Sequence, residues 1–166
     1  MSNKIFAQKM RLKLNHLATK AAYERLLTSF RESNDLTLYA STSELLMWVI
    51  TTHDWHLNNG DSNYKRRMEL DEKGILLYGM RHAFNMMKHN MDFMYIHEKT
   101  SDLVLPFDIG SVPTLIVVWM EAGEILEGDK PKQKTNYIKH LQGKEILSTF
   151  QDVLSFLNRE NNKILD

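Results

Sequence analysis

Apolar residues from residue 3 to 32, at Ile5, Met10, Leu12, Leu17, Ala21, Leu26, Leu27 and Phe30, include partners three, four and seven positions apart, with no Pro or Gly between them. That spacing predicts one long helix or two end to end. The next segment, STSELLMWVITTHDWHLN, is apolar nearly all the way round and so belongs at the centre of the fold. Ser41 or Ser43 would cap its start and Asn58-Asn59-Gly60 would stop it. The stretch GDSNYKRRMELDEKG reads as a loop whose Asp71 and Glu72 suit the electropositive start of a further helix. In that helix, GMRHAFNMMKHN over 79–90, a turn of about 100° per residue puts Arg81, His82, Asn85, Lys88 and His89 within an arc of roughly 120°. Leu76, Met80, Ala83, Phe84, Met87 and Met91 take the other side. The segment therefore has an apolar back and a cationic, hydrogen-bonding front.

Beyond residue 90 the period shortens. DFMYIHEK, a loop containing Pro106, Gly110 and Pro113, and then the β-branched and aromatic run TLIVVWMEAGEIL predict two or three short antiparallel strands over about 92–127, with Ala122-Gly123 as a hairpin turn. Helical spacing returns in TNYIKHLQGKEILSTFQDVLSFLNRE, where Gly143 weakens the first half. With no repeats or low-complexity tracts, the chain reads as a single domain over 1–166. It comprises a basic N-terminal helix (1–34), a central helix pair (41–91), a β insertion (92–127) and a C-terminal helix (135–160), a mainly α bundle with a small antiparallel insertion.

Composition narrows the chemistry. A chain of 166 residues with 43% apolar and 25% charged residues can bury one core. Lys plus Arg and Asp plus Glu both total 21, so no global field draws the protein to nucleic acid or membrane, and any such binding rests on a local patch. One concentration of charge stands out: Lys4, Lys9, Arg11, Lys13, Lys20, Arg25 and Arg31 face only Glu24 and Glu32 in the first helix. A solvated helix face accounts for this at least as well as RNA contact does. The absence of cysteine excludes disulfides and thiolate metal sites. No run reaches the roughly 18 apolar residues of a membrane span, and the first residues lack the apolar centre of a signal peptide, so a cytoplasmic protein without membrane contact is expected.

The Trp- and acid-rich helix, the loop, and the following helix reading Gly-x-Arg-x-Ala-x-Asn-x-x-x-His resemble the HEPN superfamily, helical bundles recurrent in toxin–antitoxin and phage-defence systems. The resemblance spans roughly residues 36–156, and its motif-like part is 79–90. It implies a HEPN-like bundle, a homodimer, RNA or a conflict-system protein such as an antitoxin as partner, no cofactor, and a metal-independent endoribonuclease site. In that site an Arg, the polar residue directly after it and a His four to six residues on would act together. Asn85 and His89 match the polar residue and the His, but Phe84 stands where the Arg belongs. Arg81, one turn earlier, and Lys88 offer cations out of place, and neither restores the bidentate fork at that point. The motif is thus degenerate, with Arg81, Asn85, Lys88 and His89 as candidate catalytic residues. His89 would move protons and Arg81 or Lys88 would stabilise the phosphorane.

Two other readings of the same residues are open. Used only for contact, the front would make a non-enzymatic inhibitor or interaction module, with His82, Glu44 and Asp54 as binding residues. Arg81 could also simply pair with Glu44 or Asp54, and the resemblance favours Glu44. Metal ligation is the weaker idea: His53 and His56 are three apart with Asp54 beside them, yet no third ligand stands at motif spacing, so no metal is expected. Phosphate loops, nucleophile elbows and dinucleotide fingerprints are absent from the sequence.

Overall fold

A computed structural model of the chain describes residues 2–99, 114–123 and 130–166. The first helix, α1 (Ser2–Glu32), is continuous. Its buried positions Leu12, Asn15, Thr19, Ala22, Leu26 and Ser29 alternate three and four apart, the spacing that keeps one stripe against a neighbouring helix. That neighbour is α2 (Asp35–Asn59). Ser33, at φ 50, turns the chain, and the Asn34 side chain accepts hydrogen bonds from the backbone of Leu36 (3.0 Å) and Thr37 (3.1 Å).

The helix therefore starts at Asp35 rather than at 41. Ser41 and Ser43 do not cap it: within the helix their hydroxyls donate back to the carbonyls of Thr37 and Tyr39. Ser41 also reaches Ser29 of α1 at 3.1 Å. Competing local bonds of this kind make serine ambiguous between cap and interior. The stop at Gly60 falls where the sequence puts it.

The expected loop contains a short helix, α3 (Tyr64–Leu70), whose Tyr64 and Met68 are buried. Seven residues with three basic side chains are too few to carry a helical period. Asp71 then accepts from the backbone of Lys73 and Gly74, both at 2.9 Å, just ahead of α4 (Leu76–Lys88). A Schellman closure ends α4: Asn90, at φ 56, donates to the Met87 carbonyl and Met91 to that of Met86.

Strands β1 (Met94–Lys99) and β2 (Thr114–Trp119) pair antiparallel, from Met94↔Trp119 to Lys99↔Thr114. The mainly helical fold with a small antiparallel insertion is thus confirmed. Ala122 and Gly123 follow β2 outside any strand, and a third strand over 124–127 lies outside the described residues.

The predicted C-terminal helix is two helices, α5 (Pro131–His140) and α6 (Ile146–Leu165). Gly143, at φ 73, breaks them apart, and the link is stitched to β2: Gly143 donates to the Trp119 carbonyl and Trp119 to that of Lys144. Tertiary hydrogen bonds here outweigh helical continuity. Leu26, Leu46, Val49, Met80, Trp119, Tyr137, Phe150 and Phe156 belong to one contiguous core, and Trp119 Nε1 donates to Thr149 of α6 at 2.8 Å. Among the described residues no helix is long and apolar enough to cross a membrane.

Candidate functional site

Helix α4 is flanked by α2 and α5, and α5 comes close because of Gly79. The Gly79 N–H donates to Asn136 Oδ1 at 2.9 Å. A Cβ at Gly79 would stand 2.9 Å from Leu141 Cδ1 and 3.1 Å from the Tyr137 backbone. This approach divides the polar front. His82, expected on the exposed face, is fully buried with its ring 5.1 Å from that of Tyr137; the helical wheel places it correctly but cannot show that α5 covers that edge. Arg81 and Asn85 open into a cleft of about 620 Å³ between α2, α3, α4 and the start of α5. Lys88 and His89 are exposed at the far end of α4, His89 as its C-cap, and neither lines the cleft.

Arg81 pairs with Asp54 of α2. Glu44 instead takes Arg25 of α1 through two hydrogen bonds, because it lies on the side of α2 that meets α1. The Arg25 guanidinium holds the Glu44 carboxyl below its ordinary value. Asn85 Nδ2 is 3.5 Å from Gln133 of α5. Phe84, at the position of the family's arginine, is half-buried and packs against the core.

The lining carries four cations, Lys65, Arg81, Lys130 and Lys132, and one carboxylate, Asp54. Lys132 also bonds Glu69 at 2.7 Å and lies 4.4 Å from the Tyr78 ring centre. Tyr78 donates to the same carboxylate at 2.5 Å. These contacts, Lys132 first, keep Glu69 ionised to lower pH than usual. Lys65 and Lys130 have no ion-pair partner among the described residues. At the cleft floor His53, 5% exposed, bonds Tyr64 OH through Nδ1 at 2.8 Å. Burial first, then the charges of Arg81 and His56, lower its pKa to about 3. A general base works best near the operating pH, so this ring is neutral and a poor proton acceptor.

His53 and His56 do not form a ligand pair, since His56 Nε2 meets Asn161 Oδ1 at 2.8 Å and its ring stacks on Tyr64. Among the described residues no group of three or more His, Asp or Glu is arranged to hold a metal ion.

The structure thus brings together Arg81, Asn85 and Asp54 from the sequence candidates, and separates them from Lys88, His89, His82 and Glu44. It adds Lys65, Tyr78, Lys130, Lys132 and Gln133. The signal for three of these was the run K-P-K-Q-K over 130–134, basic residues around the proline that starts α5. Comparison with protein-family models, curated proteins and solved structures found no match to this chain. What the arrangement can do is hold an anion: cations and two carboxamides converge, with an aromatic ring beside them.

Proposed function

We propose that the chain is a HEPN-like module of a phage–host or toxin–antitoxin conflict that binds single-stranded RNA in this cleft without cutting it. The observation that carries this reading is the split of the candidate catalytic set. Arg81 is inside the cleft and held by Asp54, whereas His89, the one candidate proton carrier of the motif, is outside it. Lys65, Lys130 and Lys132 would take phosphates, Asn85 and Gln133 would hydrogen-bond the sugar or base edges, and Tyr78 offers a ring for stacking. A homodimer, implied by the HEPN resemblance, would use the exposed Lys88–His89 end of α4, because α5 covers the His82 edge from within the chain.

Fluorescence anisotropy with a labelled single-stranded RNA tests the reading. Affinity should fall with salt, by about 0.7 in the logarithmic slope for each phosphate neutralised. Charge reversal of Lys130 and Lys132 together should abolish most of it, and the RNA should be recovered intact with or without EDTA. Chelator-resistant cleavage leaving a 2′,3′-cyclic phosphate, lost in His89→Ala, would return the protein to the ribonucleases. No RNA affinity at low salt would leave the protein-interaction reading of the same face.

A further inference from the structure

Helix α1 is apolar on two sides. About 130° round the helix from the stripe that packs on α2 runs a second one, Ala7, Met10, Leu14, Leu17 and Ala21, spaced three, four, three and four residues apart. All five are exposed, Met10 at 41% and Leu14 and Leu17 at 52%, and Phe6 adds 66% beside them. Scattered surface apolar residues need no explanation, but this alternation, held straight on one rigid helix, is the seam against which a second helix packs. Its limits are Asn3 and Glu24, where the same register turns polar.

The flanks of the seam identify the occupant. Lys4 and Arg11 border it on one side and Lys13 and Lys20 on the other, all exposed and without an ion-pair partner among the described residues. A second copy of this chain would set these basic flanks against basic flanks in either direction, which is repulsive at the positions that choose coiled-coil partners. An anionic membrane would satisfy the charge. The seam, however, spans only about 80° of the helix, with alanine at both ends, whereas an interfacial helix buries a broad face of large side chains. Small residues at the ends admit the knobs of a facing helix.

We propose that this face of α1 docks an amphipathic helix of a partner protein, one with an aliphatic heptad seam and Glu or Asp on both flanks. The surface is separate from the RNA cleft and does not depend on that reading.

The test uses the full chain and a synthetic peptide of four heptads, Leu and Ile in the seam and Glu on the flanks, with a Lys-flanked peptide as control. Titration calorimetry should show one-to-one binding of the Glu peptide and none of the Lys peptide. Leu14→Asp with Leu17→Asp should weaken it by roughly 100-fold while the circular-dichroism melt is unchanged, since both side chains are exposed. Lys13→Glu with Lys20→Glu should weaken the Glu peptide by about 10-fold and admit the Lys peptide. No binding of the Glu peptide, or equal binding of both peptides, overturns the proposal. So does sedimentation showing a dimer dispersed by Leu14→Asp, which would make the occupant a second copy. Flotation with phosphatidylglycerol vesicles that is lost in the leucine variants would make it a membrane.

Discussion

Arg67 and Arg81 are the same residue type, each on a short helix facing a carboxylate of another element, and they differ in how far they are satisfied. Arg67 gives two hydrogen bonds to Asp61 and three to Glu160. Glu160 is 3% exposed and takes Lys163 as well. Burial alone would raise its pKa, but the bonds from Arg67 and Lys163 hold it below the ordinary carboxylate value, and Arg67 brings Asp61 down to about 2. Among the described residues Arg81 has one ion-pair partner, Asp54, whose side chain is 44% exposed. A guanidinium has five donors; Arg67 has spent four of them on the fold, while Arg81 keeps most of its own facing a cleft. Saturation separates a structural cation from an available one.

The largest expected effect tests that separation. Arg67→Ala leaves the buried Glu160 with Lys163 alone and should lower stability by about 3–5 kcal/mol in urea unfolding. Arg81→Ala should cost about 0–1 kcal/mol. Equal losses would break the comparison.

Acid should expose the buried histidines next. Burial holds His53 and His56 below their ordinary value, His53 to about 3, so below about pH 6.5 the unfolded chain binds protons that the folded protein refuses. Stability should therefore fall with falling pH, by about 1.4 kcal/mol per unit for His53 until its window closes near pH 3, with His56 acting in the same direction. The lowered carboxylates Asp61 and Glu160 act in the same direction further down, their contribution present above about pH 4 and lost toward the folded values. His53→Gln should flatten the slope between pH 6.5 and 4 in thermal melts; an unchanged slope would show that this ring titrates freely.

Asp54→Asn sharpens the contrast by freeing Arg81. Stability should move by less than about 1 kcal/mol, while RNA affinity in the cleft rises several-fold at low salt. A fall in affinity would mean that Asp54 positions the arginine for its ligand. The smallest effect belongs to His89→Ala: an exposed C-cap outside the cleft should change the melting free energy by no more than about 0.5 kcal/mol and RNA binding not measurably.

Periodicity was most informative where one side of an element meets one neighbour. The extent of α1 could be read in this way, while the end of α2 and the antiparallel insertion were legible in local composition, the Asn58-Asn59-Gly60 stop and the β-branched run TLIVVW. It misled where an element is wrapped: the wheel of α4 has His82 at the edge of the same polar arc as Arg81 and Asn85, and only the arrival of α5 from more than fifty residues away decides that His82 is core. The split at Gly143 was half visible, as a glycine in a helical pattern, but its cause is a backbone exchange with Trp119 that no local window contains. Likewise α1 carried two apolar stripes superposed in one run of residues, and they separate only when burial assigns Leu12 and Leu26 to one and Met10 and Leu17 to the other.

Gly79 sets the geometry of the cleft by what it lacks. A methyl group there would stand 3.1 Å from the Tyr137 backbone of α5 and 2.9 Å from the Leu141 side chain, so the wall carrying Lys132 and Gln133 would have to yield by a few tenths of an ångström. A single-nucleotide change from glycine to alanine at this codon would therefore reshape the proposed anion cleft while sparing every charged group in it. Selection acting on the ligand would be felt at a residue that never touches it.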